Sequence, residues 1–390
     1  MGRTLMSTIS TTARYYSLDA ARGFALFAMV IAHTGPFLKP APMIIAYPES
    51  ILNDVAAPLF MLSIGVTATI AGPPIGADAG DRRRYRLQTA VRAVILIALG
   101  FLLEFAPSGV NIVLDYIGVA MLLALPFLFA RTRTLLIWAA ALIAIGPGLV
   151  TWLRGLAVTV PELVYPTTPV TIALDWIALG HGYQALAFLP ILLIGLVLGR
   201  TILRNRAAMF VLFHASVVAF IPIELWRILD LPGTGIRGGY VEVLRELPLA
   251  LGAFALIALL TDLGPDRLVT GARRVFEPLS VQGRLGLSIY ALHVLVLMGI
   301  WAARNASASS GAVTWFSWPR GAAIQIGLVV FCWLFAAAWW RWLGPGPIER
   351  VVGVVSGRHP LSSLTSSAHH RSTNAVRGPG TTSGASNRVK

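Results

Sequence analysis

Ten stretches of the chain are each predominantly apolar over about 20 residues, the length that an α-helix needs to cross the hydrocarbon core of a bilayer. A chain with 56% hydrophobic and only 12% charged residues is also too apolar for an ordinary soluble enzyme. The predicted spans are 18–37, 51–72, 87–105, 111–130, 134–153, 183–203, 207–226, 246–263, 284–303 and 321–343. The sequence therefore predicts an all-α, polytopic transmembrane bundle of about ten spans.

Arginines between the spans predict the orientation of the bundle. The loops that precede the third, fifth, seventh and ninth spans are rich in arginine, and the loops of opposite parity carry fewer. The residues concerned are Arg82, Arg83, Arg84, Arg86, Arg131, Arg133, Arg200, Arg204, Arg206, Arg267, Arg273, Arg274 and Arg284. Basic loops lie on the cytoplasmic side, so both termini are predicted to be cytoplasmic in a multi-pass protein of the cell (inner or plasma) membrane. Membrane orientation also accounts for the net charge of +14 without a nucleic-acid partner.

The chain divides into a cytoplasmic N-terminal segment at 1–17, a transmembrane domain at 18–350 and a tail at 351–390. From residue 356 onward the tail holds five basic residues, no acids and many Ser, Thr and Gly. A segment of this composition cannot bury enough apolar surface to offset the entropy of folding. We therefore predict a disordered tail.

The first span is unusual because it carries an acid, an arginine and a histidine within an apolar run. If the run is helical, Arg22 and His33 lie about 16 Å apart along the axis and on nearly the same face. Asp19 joins that face one turn before Arg22, and Leu26 and Met29 fill the space between the arginine and the histidine. Ionisable residues inside a span are costly, so they indicate function unless an ion pair or a helix contact explains them.

Two interpretations remain open for each polar residue of the first span. The guanidinium of Arg22 suits a phosphate-bearing ligand, but it can also be a membrane anchor paired with Asp19. The imidazole of His33 can act as a general base toward a hydroxyl or an amine, although a histidine can also hydrogen-bond a neighbouring helix as packing. For His33 we favour the functional interpretation.

Further polar residues fall near the predicted extracytoplasmic ends of the spans, where they can line an acceptor pocket. Asp54 and Asp115 are the best candidates, because a carboxylate near His33 would orient its ring and stabilise its cationic form. Asn53 and His181 lie at similar depth and are candidate substrate-binding residues. Glu104, Asn111, Asp175 and Glu224 also lie there. Span ends are equally where solvated polar residues belong, so each one alone is a weak indication.

Other motifs indicate little chemistry. The single cysteine, Cys332, excludes disulfides within the chain and Cys-based zinc sites, and we predict no metal. His214 and His293 lie inside spans, where a satisfied core histidine is the commoner outcome, so both rank below His33. The hydrolase and nucleotide-binding motifs common in soluble enzymes are absent, apart from a chance match at residues 233–238.

Several stretches resemble one family. The residues RYYSLDAARGFALFAMVIAH at 14–33 look like the first-span signature of the integral-membrane acyltransferases. Arg22 and His33 match its pattern of an arginine, ten intervening residues and a histidine. APLFMLSIGV at 57–66 is similar to the second span of heparan-alpha-glucosaminide N-acetyltransferase-like bacterial proteins. GYQALAFLPILLIGLVLGR at 182–200, GRLGLSIYALH at 283–293 and GPGPIER at 344–350 resemble the YeiB-like branch, whose function is unassigned.

The resemblance implies transfer of an acyl group, usually acetyl, from cytoplasmic acyl-CoA to an extracytoplasmic sugar or other envelope acceptor. It implies that His33 is the catalytic histidine. The heparan-type enzymes carry their active histidine in the loop beyond span one, whereas residues 37–50 of this chain contain none, which leaves His33 as the candidate.

The spacing of span one is compatible with that reaction. A donor held by its phosphates near Asp19 and Arg22 can extend its arm along Leu26 and Met29 toward His33, because an extended pantetheine arm is comparable in length to the axial gap between Arg22 and His33. The acceptor would enter from outside among Asp54, Asp115 and His181. The expected partners are the lipid bilayer, acetyl-CoA and a sugar or envelope glycan, and whether the chain forms a homodimer stays open.

A carrier for an anionic or acylated metabolite, with Arg22 as the counter-charge, is the alternative from another functional class. Carriers usually bind substrate near the midplane, often on broken helices, whereas this stripe is apolar between its ends. The pattern therefore favours the enzyme.

Overall fold

The computed structural model describes residues 15–163, 166–308 and 317–358, and these residues form thirteen α-helices and no strand. The helices are α1 Tyr16–Leu38, α2 Met43–Ile70, α3 Ala79–Glu104, α4 Leu114–Ala124, α5 Thr132–Ala157, α6 Pro169–Leu174, α7 Ala185–Thr201, α8 Arg206–Ile228, α9 Tyr240–Thr261, α10 Asp266–Arg284, α11 Gly286–Ala308, α12 Trp318–Trp342 and α13 Pro347–Val355. A 3₁₀ turn at Leu125–Phe127 extends α4, and a π turn at Asp175–Leu179 extends α6.

The predicted fold class is confirmed. Eight of the described helices are long and apolar enough to cross a membrane. The two remaining predicted spans coincide with shorter apolar helices, α4 with its 3₁₀ turn and α7. The second helix begins at Met43, eight residues before the predicted start of its span, because its first two turns extend the helix beyond the apolar run. The chain is thus a multi-pass membrane protein.

Helices α1, α2 and α7 form the centre of the bundle, whereas α8 and α12 are mostly exposed on their outer faces. The central helices approach closely because small residues lie at their crossing. A Cβ on Gly65 of α2 would lie 2.9 Å from the Cα of Gly195 on α7, and a Cβ on Gly195 would lie 3.0 Å from the Cα of Gly65. The crossing therefore requires glycine on both helices.

Helices α10 and α13 were not predicted, because their residues alternate between polar and apolar faces and do not form an apolar run. Helix α10 packs against the first half of α1, where Gly23 and Gly283 face the backbone of the opposite helix. Helix α13 packs against α11 and α3. Residues 1–14 of the predicted N-terminal segment and residues 359–390 of the predicted tail lie outside the described residues.

The orientation stays a prediction and can be tested directly. A reporter fused after Arg84 should be cytoplasmic, and one inserted near Pro166 should be extracytoplasmic, because their loops have opposite parity and only the first is arginine-rich. Reporter activity or cysteine labelling in intact cells measures both. An odd total number of spans, or both reporters on the same side of the membrane, would contradict the predicted orientation.

Candidate functional site

A cavity of about 220 Å³ opens among the first turns of α3, the end of α10 and helix α13, and we call it the arginine cavity. Four arginines line it, from α1, α3, α10 and the segment after α13. They are Arg22, Arg92, Arg284 and Arg358. Glu349 is the one carboxylate among its described lining residues, and it accepts from the backbone N–H groups of Leu287 (2.6 Å) and Ser288 (3.1 Å) at the start of α11, so four guanidinium groups face one carboxylate. The cavity is therefore strongly positive.

The arginines are held in different ways. The Arg22 guanidinium donates to the Thr67 hydroxyl, and Arg284 lies 3.4 Å from the carboxylate of Asp19. The Nε of Arg92 is buried and has no hydrogen-bond partner among the described residues. A buried, unpaired guanidinium N–H is costly, so an anionic ligand in this cavity would satisfy it. Asp19 itself is buried behind the cavity and contacts its rim through Arg284.

The inner part of the arginine cavity is apolar. Phe60, Ile64, Leu96, Met121 and Leu287 line it. At its floor the side chains of Leu26 and Phe60 converge on Gly286, since a Cβ there would lie 3.9 Å from atoms of both. A ligand with an anionic head and a thin apolar arm therefore matches the lining.

A second cavity, of about 250 Å³, lies among the loops of the opposite parity, and we call it the histidine cavity. Four residues predicted from the sequence line it together. They are His33, Asn53, Asp54 and His181. Asn111, Gln184, Arg237, Glu242 and Glu246 complete its polar lining. The cavity combines one imidazole of the first span with many groups that can hydrogen-bond a hydroxyl-rich molecule.

His33 stacks on a second histidine, His293 of α11. The ring centroids are 5.4 Å apart and the rings are inclined by 13°. His293 Nδ1 lies 3.3 Å from the carbonyl of Ile289, so a proton on Nδ1 donates to that carbonyl and the Nε2 lone pair stays available. The Nε2 atoms of both histidines are buried and have no hydrogen-bond partner in the described part of the chain. Each Nε2 therefore has an unused hydrogen-bonding position.

Asp54 belongs to a buried ion network. Its carboxylate and that of Glu224 both accept from the Arg245 guanidinium, whose side chain is 4% exposed. Arg227 donates to Glu224 from the outer side at 2.5 Å, and Asn53 donates to Asp54 at 2.9 Å. Asp54 thus links the wall of the histidine cavity to α8 and α9. Its predicted role as the partner of His33 stays a prediction.

Asp115 and Met29 lie outside both cavity linings. The Asp115 carboxylate accepts from Trp176 Nε1 at 2.9 Å, and this bond attaches the π turn to α4. Met29 is 3% exposed and lies in the main hydrophobic core, one turn before His33. The predicted roles of both residues remain predictions.

The loop before α9 closes one side of the histidine cavity. Arg237 donates to Glu242 at 2.7 Å. Burial opposes the charge of Arg237, but the facing Glu242 carboxylate outweighs this effect and raises the pKa of the guanidinium above its ordinary value. Arg237 is therefore a fixed positive charge at this wall. The described residues include no cluster of three or more potential metal ligands.

Three side chains of these sites were not predicted as functional from the sequence. Arg92 lies within the predicted span 87–105 and was not singled out, although a lone arginine in a span itself indicates function. Arg284 was assigned only to membrane orientation. His293 was ranked low because nothing in the sequence shows that it stacks on a residue 260 positions earlier.

Comparisons with protein families cover nearly all of the helical domain. A family model described as heparan-alpha-glucosaminide N-acetyltransferase, catalytic, matches residues 14–223, more than half of the chain. A second model, described as a protein of unknown function (DUF418), matches residues 198–355. No curated protein matches the chain significantly. The first match contains Arg22, His33, Asp54 and Arg92, and the second contains Arg245, Arg284 and His293.

Proposed function

Because the chain belongs to the family of heparan-alpha-glucosaminide N-acetyltransferase catalytic domains, with a YeiB-like C-terminal part, we propose that it is a membrane acyltransferase. It transfers an acyl group, most simply acetyl, from acyl-CoA in the arginine cavity to a sugar or other envelope acceptor in the histidine cavity. The donor enters from the cytoplasmic side and the acceptor from the opposite side.

The arrangement of the two cavities supports this activity best. Helix α1 contributes Arg22 to one cavity and His33 to the other, about 16 Å apart along the helix axis. On α2, Pro58 lines the histidine cavity and Phe60 lines the arginine cavity, a difference of about 3 Å in helical rise. The two cavities therefore reach nearly the same level of α2, although Pro58 and Phe60 lie on different faces of that helix.

The residues on the donor side would act mainly by binding. Arg22, Arg92 and Arg284 can hold phosphate oxygens, since guanidinium groups form paired, charge-assisted hydrogen bonds to phosphate. The apolar inner lining near Phe60 would pack against the arm and exclude water from the thioester. Leu26 and Met29 lie on α1 between the two cavities, and their predicted role is to border the path of the arm.

The residues on the acceptor side would transfer the proton and position the acceptor. The acceptor hydroxyl or amine donates its proton to His33 as its oxygen or nitrogen forms a bond to the thioester carbonyl carbon. The carbon–sulfur bond then breaks, its electron pair stays on sulfur, and the thiolate takes the proton from His33. His293 holds the His33 ring by stacking, and the polar lining with Asn53 and His181 orients the acceptor.

Donor binding tests the arginine cavity. Arg92→Ala is expected to weaken coenzyme A binding to the purified protein by about 10- to 100-fold, because a hydrogen bond to a charged group contributes about 1.5–3 kcal/mol. Arg22→Lys should also weaken binding although it keeps the charge, since an ammonium cannot reproduce a guanidinium fork. Arg237→Ala, an arginine of the histidine cavity, is the matched control and should leave calorimetric affinity unchanged. Equal losses in all three variants would exclude the arginine cavity as the donor site.

Acetyl-CoA consumption separates the enzyme from a carrier. Protein in lipid nanodiscs, supplied with acetyl-CoA and a mixture of sugar and amino-sugar acceptors, should release coenzyme A thiol faster than the Arg92→Ala variant. A protein that binds acetyl-CoA but releases no thiol above the variant with any acceptor contradicts the proposed activity.

A further inference from the structure

An apolar groove of about 600 Å³ lies between the ends of α5, α8 and α9, on the outer surface of the bundle, and we call it the aromatic groove. Trp152, Trp226 and Tyr240 line it, with Ile236, Val241 and Leu244. Trp152 is 63% exposed, so the groove is open to its surroundings. Tryptophan and tyrosine are typical of the membrane interface.

The polar atoms around the aromatic groove bond to the protein itself. Trp226 Nε1 donates to the carbonyl of Pro232 at 3.1 Å, and the Tyr240 hydroxyl donates to the carbonyl of Ala144 at 2.7 Å. The Thr151 hydroxyl donates to the carbonyl of Pro147 at 2.8 Å. Interfacial aromatics normally direct their polar tips toward headgroups. The rings of Trp226 and Tyr240 are fixed by these bonds and present mainly apolar surface to the groove, which is what a hydrocarbon chain requires.

The groove adjoins the histidine cavity through one short segment. Ile236, Tyr240 and Val241 face the groove, whereas Arg237 and Glu242 face the cavity. At Gly238 in this segment φ is +72°, and an added Cβ would lie 2.7 Å from Gln184 Oε1 and 3.1 Å from Val150 Cγ1, so the segment packs closely against the cavity wall. One molecule with a polar head in the cavity and an apolar chain in the groove would therefore lie across this segment.

The charges of the cavity restrict the head of that molecule. Three carboxylates line the histidine cavity, on Asp54, Glu242 and Glu246, against one lining arginine, Arg237. Arg237 is already paired with Glu242, and Asp54 with Arg245. An anionic head would therefore find no unpaired arginine among the described lining residues, whereas hydroxyl groups find hydrogen-bond partners among the carboxylates and amides.

We propose that the acceptor is an uncharged glycolipid, with its sugar head in the histidine cavity and its hydrocarbon chain in the aromatic groove. This inference rests on the proposed function for the identity of the cavity as an acceptor site. The groove holds the chain at the outer surface while the head reaches His33, so the acceptor need not leave the bilayer.

Photo-crosslinking tests the groove without relying on turnover. Vesicles that contain the protein receive, at equal mole fraction, a glycolipid or an anionic phospholipid with the same photoreactive chain. The glycolipid should label Trp152 and Leu244 several-fold more than the phospholipid does. At Ile326, an exposed residue of α12, the two lipids should label equally. Thr151→Trp should fill the groove and reduce glycolipid labelling to the phospholipid level, whereas Leu149→Trp, on α5 but outside the groove, should not.

Equal labelling of the groove by both lipids would mean that bulk lipid occupies it, and this result overturns the proposal. Absence of labelling in the groove overturns it as well. In turnover, Thr151→Trp should raise the KM for the glycolipid and leave the KM for a water-soluble glycoside of the same head unchanged. A KM that rises equally for both acceptors overturns the proposal as well. Selective labelling in a protein that transfers no acyl group would contradict the proposed function and leave the glycolipid site standing.

Discussion

Replacing His33 with glutamine is expected to slow acyl transfer by about 100- to 10,000-fold while coenzyme A binding stays unchanged, because a positioned general base contributes about that much to the rate. His33 is the imidazole that lines the histidine cavity on the first span, and its buried Nε2 has no partner among the described residues. Glutamine keeps similar size and polarity but cannot accept the proton. Initial rates at saturating donor, together with calorimetric coenzyme A affinity, measure both effects.

His214→Gln is the matched control for this substitution. His214 lies on the exposed face of α8, and its Nδ1 is 2.9 Å from the carbonyl of Phe210 in the same helix. We expect its variant to keep wild-type turnover. If His33→Gln is as active as His214→Gln, His33 is structural and the reaction uses another base.

Arg245→Ala is expected to lower the free energy of unfolding by about 3–5 kcal/mol, the usual cost of removing one member of a buried ion pair. Arg245 donates to both Asp54 and Glu224, and its loss would leave two carboxylates facing each other without their shared partner. Denaturant titration of the protein in detergent micelles, followed by tryptophan fluorescence, measures the change.

Arg237→Ala provides the contrast, because the Arg237 side chain is 49% exposed and pairs with Glu242 in the part of the chain that the structure describes. An exposed ion pair contributes about 0–1 kcal/mol, so this variant should unfold close to wild type. A loss of only about 0–1 kcal/mol for Arg245→Ala, as expected for Arg237→Ala, would mean that water reaches the Arg245 network and that the network does not anchor α2 to α8 and α9.

The sequence was sufficient for the spans because membrane crossing requires long apolar runs, and those runs correspond to helices in the structure. It was not sufficient for α10 and α13, whose alternating polar and apolar faces resemble loop sequence when only apolar runs are sought. Both helices matter for the candidate site. Helix α10 contributes Arg284, and α13 closes the arginine cavity with Glu349 and Val352.

His33, Asn53, Asp54 and His181 were predicted to lie at a similar depth in the membrane, and they line one cavity. Polar residues at the same end of neighbouring spans converge. Which of these residues contact each other depends on how each helix is rotated about its axis, and hydropathy does not specify that rotation. Asp54 therefore contacts Arg245, 191 residues later, a partner that no local pattern indicates. The stack of His33 on His293 has the same origin, since it depends on how α1 and α11 face each other.

Acyl transfer between substrates supplied on opposite sides of a sealed membrane tests most directly the central claim, that the acyl group passes from the arginine cavity to the histidine cavity. Vesicles of known orientation receive labelled acetyl-CoA only on the side of the arginine cavity and an acceptor only on the side of the histidine cavity. Labelled acetyl should appear on the acceptor with wild-type protein and not with His33→Gln or Arg92→Ala. If the acceptor is labelled only when both substrates share one side, or if intact acetyl-CoA crosses without acyl transfer, transfer between the two cavities is contradicted.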